Sequence, residues 1–310
     1  MGHAPSGEQY EITDGGQRAT LVEVGGGIRA YSSDGRAVLD GYGVDEMCGG
    51  ARGAPLIPWP NRILNGQFTF SGVSHQLSLT EPAHRNAIHG LLRWRNWAPR
   101  EQSPSSIVLG TVLHPKPGYP FSLDVTITYS VQQNPSEKSQ RGLSVTTTAT
   151  NIGDNPCPYA AGQHPYLVAG ENGIDHATLR MPADTWLPTD ERGIPTGQRP
   201  VADTPFDFRV PRRIGDTRLD NAFTDLHRGE DGLARVELTA PDGTCDRVWA
   251  DESYPYVQLF TGDTQSPDKR RRSLAVEPMT CPPNGFATGV GIRTLAPGES
   301  TTSTWGIQTG

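Results

Sequence analysis

Leu123 to Val131 reads LDVTITYSV. Leu123, Val125, Ile127, Tyr129 and Val131 share one parity, while Asp124, Thr126, Thr128 and Ser130 share the other. Successive side chains of an extended chain point to opposite faces, so this strict period of two reads as a strand with one buried and one solvated face. Leu143 to Thr150 repeats the pattern with Leu143, Val145, Thr147 and Ala149. A polar loop, Gln132 to Arg141, joins the two.

Working outward, strand signals recur on both sides. Thr20, Val22 and Val24 alternate until Gly25-Gly26-Gly27 breaks the run. Ile28 and Ala30 then lead to the turn Ser33-Asp34-Gly35, which reads as a hairpin, with Arg36 to Asp40 as a third strand. GQFTFSG, Gly66 to Gly72, is a short strand with Phe68 and Phe70 on one face. Arg235 to Ala240, Tyr256 to Thr261 and Ser300 to Gln308 add more. No amphipathic helix longer than about two turns passes the 3.6-residue test. The 310 residues include Gly 36 and Pro 27, scattered without period, as many short strands joined by turns require. With no repeat and no compositional break, the expectation is all-β: one large antiparallel domain over residues 1–310.

Composition narrows the function. A net charge of -7 disfavours a polyanionic partner, so no nucleic acid is expected, and the basic run Lys269 to Arg272 reads as a solvated loop. Cys48, Cys157, Cys245 and Cys281 lie far apart without a C-x-x-C, which fits free thiols in a reducing compartment better than a zinc site or a disulfide framework. The opening MGHAPSGEQYEI lacks the apolar stretch of a secretion signal, and no run reaches membrane-spanning length, so a cytoplasmic protein with no membrane partner is expected. There is no H-E-x-x-H, no G-x-S-x-G, no P-loop and no dinucleotide fingerprint before a helix. The expected site therefore uses neither metal nor cofactor.

Chemistry is expected where prolines stiffen strand ends. In LAVEPMTCPPNGF, Leu274 to Phe286, Glu277 lies on the face opposite Leu274 and Val276, and Pro278 holds its backbone extended. The strand is expected to end there, since Pro282, Pro283 and Gly285 permit no regular element. In GQHPYL, Gly162 to Leu167, Pro165 restricts His164 in the same way. A carboxylate and an imidazole so held suit acid–base catalysis near neutral pH. Further polar residues sit where alternation fails: Asn61 and Arg62 in WPNRI, His89 in AIHGLLRW, Asp220 in RLDNAF and Gln258 in YVQLFTGD. Each alone also fits an ordinary role, such as a surface ion pair, a core histidine or a turn.

Their order is more specific than any one of them. NRI, IHG, GQHPY, LDNAF and VEP, spread over roughly residues 50 to 290, resemble the aldose 1-epimerases, or galactose mutarotases. That resemblance implies a large antiparallel β-sandwich, the galactose mutarotase-like supersandwich, acting on a small-molecule sugar as a monomer or homodimer. It implies interconversion of the α and β anomers of a free hexose such as galactose or glucose. Glu277 corresponds to the general base and His164 to the general acid, with His89 competing for the acid role. Asn61, Arg62, His89, Asp220 and Gln258 fall at sugar-binding positions. A carboxylate near His164 would favour its protonated form. Trp59, Tyr166 and Phe286 are candidates either for stacking on the sugar or for core packing. The chain departs from the family in HPYLVAG, where many members carry HPYFNL, which alters the pocket wall. Two rivals stand beside this reading: a hexose-6-phosphate mutarotase using Arg85, Arg93 or Arg95, and a non-catalytic sugar-binding module on the same fold. A two-carboxylate glycosidase is disfavoured because no second carboxylate obviously pairs with Glu277.

Overall fold

Alternation becomes a ladder in the computed structural model, which describes residues 4–133 and 141–310. Leu123–Gln132 and Gly142–Asn151 pair antiparallel from Leu123↔Asn151 to Gln132↔Gly142. Leu123, Val125, Ile127 and Tyr129 are fully buried, and the intervening residues are only partly so. The connecting polar loop expected between them falls mostly on residues 134–140, outside the described residues.

Around this pair a nine-stranded sheet runs in the order Ala98–Gln102, Ser106–Leu113, Leu123–Gln132, Gly142–Asn151, Ser300–Gln308, Cys245–Ala250, Ala234–Thr239, Thr178–Arg180 and Arg212–Arg213. A second sheet, of eight strands, follows the order Arg199–Pro200, Ala183–Leu187, Asp220–Leu226, Tyr256–Phe260, Ser273–Met279, Gly162–Gln163 and Pro55–Leu56. Its eighth strand, Tyr166–Val168, also pairs with Ser273–Met279. The ladders of both sheets are antiparallel. Val125, Ile127, Val145 and Trp305 of the first sheet share one apolar core with Phe223, Val257, Leu259, Leu274 and Val276 of the second. The architecture is the expected antiparallel β-sandwich.

A four-stranded sheet, Gln9–Asp14, Gln17–Val22, Ile28–Ser33 and Arg36–Ala37, completes the N-terminal part. The expected hairpin is present, with a register shift between Thr20 and Leu21 that leaves both Leu21 and Val22 buried. The third run shortens to Arg36–Ala37, and Leu39 instead bridges to Leu167.

Two local expectations are corrected. Ser273–Met279 does not end at Glu277; it continues through Pro278, because Met279 pairs with Gly162 on one side and Tyr256 on the other. Gly285–Thr288 forms a single helical turn, held by the Asn284 carbonyl accepting from the Ala287 and Thr288 amides, each at 3.1 Å.

Ile127 is 0 % exposed at the centre of the core strand. Ile127→Ala is expected to cost about 2–5 kcal/mol of unfolding free energy, since close neighbours cannot collapse fully into the cavity. Urea denaturation reads this directly, and a loss below about 0.5 kcal/mol, the range of surface substitutions, would contradict the placement.

Candidate active site

The second sheet has two unlike faces. Leu274, Val276, Val257 and Leu259 face the shared core, so the alternate residues Ala275, Glu277 and Gln258 occupy the other side. There Gln258 stands opposite Glu277, and Ala222 opposite Gln258. On the other flank, the pairs Gly162↔Met279 and Tyr166↔Ala275 bracket His164, which the same register places beside Glu277. His164 Nε2 lies 3.4 Å from Glu277 Oε1, and the two residues are 5 % and 2 % exposed. Pro165 interrupts the strand here, yet its carbonyl accepts the Val276 amide at 3.0 Å.

Neighbouring contacts fix the imidazole. Gln163 Nε2 donates to Thr147 Oγ1 across the core at 3.2 Å, tying this segment to the first sheet. The Tyr166 ring stacks on His164 at 4.8 Å between centroids, and its hydroxyl donates to the Gly50 carbonyl. His89 presents its ring edge-on to His164 at 5.3 Å.

His89 and Asn61 both adopt left-handed backbone, at φ 61 and 53, where Arg62 pairs with Ile88. The His89 amide donates to the Asn61 carbonyl at 3.0 Å, and Asn61 Oδ1 accepts the Arg62 amide at 2.9 Å. Gly90 is required after His89: at φ 72, a Cβ there would lie 2.1 Å from the Ile57 carbonyl oxygen. Arg62 is clamped by Glu81, which accepts from Nε at 2.9 Å and Nη2 at 3.0 Å, while Nη1 lies 3.9 Å from Asp220 Oδ2. Gln258 Nε2 donates to Asp220 Oδ1 at 2.7 Å.

These groups surround a cavity of about 380 Å³, within the range of small-ligand sites. Asn61, Arg62, His89, His164, Asp220 and Glu277 all line it. Gln258, 2 % exposed, stays behind the wall and holds Asp220 rather than facing the space. Of the three aromatic candidates Tyr166 lines the cavity, whereas Trp59 and Phe286 pack on one another in the core with centroids 5.7 Å apart. Arg93 lines it; Arg85 and Arg95 do not. Sequence reasoning missed Glu81, Gln265 and Trp94. Glu81 carried the same Glu-Pro signal as Glu277, while Gln265 and the half-exposed Trp94 carried none. A larger cavity of about 810 Å³, beside Arg36 and Asp246, holds none of the seven candidates, and volume alone does not make a site. Among the described residues, no three His, Cys, Asp or Glu side chains are grouped as metal ligands would be. Nor is any described helix long and apolar enough to cross a membrane.

Burial dominates the electrostatics. It pushes the Glu277 carboxyl well above the usual carboxylate range, with the Asp220 charge adding to the effect and Arg62 opposing it. Burial, helped by the Arg93 and Arg52 charges, pushes His164 down to about 3. The carboxylate expected to favour the protonated imidazole is present at 3.4 Å, while burial and the Arg93 and Arg52 charges act in the opposite direction. His89 also moves well below the usual imidazole value, through burial and then the charges of His164, Arg93 and Arg62. Desolvation raises Asp220, with the Glu81 charge adding to it, while Arg62, the Gln258 hydrogen bond and His84 pull it back; its side chain keeps 48 % exposure. His89 Nδ1, His164 Nδ1 and Glu277 Oε2 are buried without a hydrogen-bond partner among the described residues.

A buried carboxyl–imidazole pair and a clamped arginine thus line one cavity of small-ligand size on an antiparallel sandwich. Residues 8–308 match the family described as Aldose 1-epimerase. The chain is 33 % identical over 300 residues to the uncharacterized protein YihR of Escherichia coli K12, covering 95 % of this chain and 91 % of that one. It is 30 % identical over 302 residues to human galactose mutarotase, covering 90 % and 85 %. The crystal structure of a GalM/aldose epimerase homologue from Caenorhabditis elegans shares the fold, with a TM-score of 0.84 at 21 % identity over 98 % of each chain. The chain belongs to the aldose 1-epimerase family, whose members are carbohydrate isomerases.

His89 gives this electrostatic account a test. Its folded pKa lies below the unfolded value of about 6.5, so its contribution is intact above that pH and is lost as pH falls. Between pH 6.5 and 4.5 the slope should approach about 1.4 kcal/mol per pH unit for one excluded proton. Denaturation of wild type and His89→Asn across this window should differ by that slope, and parallel curves would contradict a neutral buried His89.

Proposed function

We propose that the protein interconverts the α and β anomers of an aldohexose, with Glu277 as the base at the C1 hydroxyl and His164 as the acid at the ring oxygen. The observation that carries this reading is the His164–Glu277 pair, 3.4 Å apart and nearly buried in one sugar-sized cavity. Ring opening needs one proton removed and one supplied. Glu277 takes the O1 proton as C1=O1 forms, the C1–O5 electrons go to O5, and O5 takes the proton from His164. Rotation about C1–C2 then presents the other face of the aldehyde, and the same transfers run backwards to close the ring. Atoms and charge balance without a redox step.

Only one proton is shared by the pair at rest. Burial disfavours separated charges, so the resting form is a neutral carboxylic acid beside a neutral imidazole. Passing that proton from Glu277 to His164 produces the working base and acid with no exchange with solvent. Arg62, held by Glu81, and Asp220, held by Gln258, suit neighbouring sugar hydroxyls, because each already has its orientation fixed. Asn61 and His89 serve the ring-oxygen side. Galactose and glucose are the first substrates to examine; a relative sharing most of the chain bears the name galactose mutarotase. The contacts come from residues 61 to 277, so the chain is taken to work as one domain, and none of the steps requires a second copy or a cofactor.

Polarimetry on freshly dissolved α-D-glucose and α-D-galactose should show equilibration well above the spontaneous rate. Glu277→Gln should lower kcat by about 10²–10⁴-fold, the usual worth of a positioned proton-transfer group. A variant as fast as wild type would exclude Glu277 as the base. The pH profile of kcat/KM should lack an inflection near 6.5, because the shared proton does not leave in that range. A sharp acidic limb centred there would contradict a neutral resting pair.

A further inference from the structure

An imidazole that moves protons is ordinarily oriented by a hydrogen bond to its remote nitrogen, which fixes ring plane and tautomer together. His164 is held otherwise. Its Nε2 faces Glu277 Oε1 at 3.4 Å, while Nδ1 is buried with no hydrogen-bond partner among the described residues. A single polar contact fixes one point of the ring and leaves its plane undetermined.

The plane is set by Tyr166. Its ring lies within 8° of parallel to the imidazole, with centroids 4.8 Å apart, which is an offset stack. Several ties hold the phenol ring in turn. Tyr166 pairs with Ala275 in the strand that carries Glu277, and its carbonyl accepts the Asp40 amide at 2.9 Å. Its hydroxyl donates to the Gly50 carbonyl at 2.8 Å and accepts from Gln265 Nε2 at 3.1 Å. Arg52 lies over the ring, 4.6 Å from its centre, and donates to Gln265 Oε1 at 2.8 Å. Gly50 admits this arrangement. At φ 61, a Cβ there would lie 3.1 Å from Arg52 Nη1, 3.2 Å from Gln265 Nε2 and 3.3 Å from Tyr166 Oη. The ring face stacked on His164 is closed to a sugar, so the tyrosine of GQHPYL serves the imidazole first.

We infer that Tyr166 is the positioning residue of the acid: its stacked ring, anchored at the hydroxyl by Gly50 and Gln265, holds the His164 plane that aligns Nε2 with Glu277 and with the sugar's ring oxygen. This deepens the proposed mutarotation and rests on it. Proton transfer is directional, and a hydrogen bond weakens steeply as its angle closes, so a turned imidazole loses rate even when it stays in place. Sugar binding falls to Arg62, Asp220, Asn61 and His89, none of which depends on that plane. Tyr166 therefore acts on kcat rather than on KM.

Anomerisation of glucose and galactose by wild type, Tyr166→Phe and Tyr166→Leu tests the inference, together with the ring C–H proton shifts of His164 in ¹³C-histidine-labelled protein. The resonance is assigned by its absence in His164→Asn. Tyr166→Leu should lower kcat about 10–100-fold with KM changed less than about threefold, as a misplaced catalytic group does. Tyr166→Phe keeps the ring and should hold kcat within about threefold of wild type. In wild type and Tyr166→Phe the His164 ring protons should lie upfield of those of an exposed histidine, and Tyr166→Leu should return them toward that position. Wild-type kcat in Tyr166→Leu would overturn the inference and leave mutarotation standing. So would a loss carried by KM alone, which marks a sugar contact, or Tyr166→Phe as impaired as Tyr166→Leu. No acceleration by wild type would overturn mutarotation and the positioning role together. Wild-type ring protons at the exposed position would overturn the inference alone, whatever the folding of the Tyr166 variants.

Discussion

A carboxyl group lies within a strand buried on both faces, and the site is built around that constraint. Every residue of Ser273–Met279 is buried, Glu277 included. Leaving an isolated carboxylate there would be prohibitive, so the group must hold its proton or share it. His164, its cross-strand neighbour, is the partner that can share it, and the adjoining Gln258 and Ala222 bring no charge of their own. In the proposed mechanism, the same burial that favours a neutral pair also screens its proton transfers from bulk water. Stability and reactivity are set here by one environment.

The surrounding sheets hold that geometry from several directions. Gln163 reaches through the core to Thr147, so the His164 segment is tied to the sheet that the alternating strands build. At the start of the Glu277 strand, Asp40 accepts from Ser273 Oγ at 2.8 Å and pairs with Arg52 and Arg272. Arg52 in turn lies over the Tyr166 ring, 4.6 Å from its centre, and donates to Gln265 at 2.8 Å. Tyr166 stacks on His164, which links this charged node to the imidazole. Arg271 and Arg272, read as part of a solvated basic run, are instead tied down by Asp175, Asp263 and Asp40.

Much of this was legible in the sequence because strand periodicity is a local property. LDVTITYSV states its own buried face, and its partner Gly142–Asn151 states the same one. Six of seven candidate residues reach one cavity because the His-Pro and Glu-Pro pairs mark extended backbone, and because the ordered segments carry the family likeness. What was not legible depends on neighbours brought together by folding. Gln258 has the right face but lies one step behind the wall, where Asp220 occupies its amide. The protonation state of His164 turned on burial and on Arg93 and Arg52, which no spacing in the chain reveals. Glu81 gains its role only when the loop before Asn86 folds against Arg62.

The proposed chemistry rests on Glu277 and His164 sharing one proton as a neutral pair before substrate binds. Carboxyl ¹³C and imidazole ¹⁵N shifts of selectively labelled protein, followed from pH 5 to 8, test it most directly. The account predicts a protonated Glu277 carboxyl beside a neutral His164 ring, with little change across the range. An ionised carboxylate at pH 5 beside an imidazolium that titrates near 6.5 would contradict it.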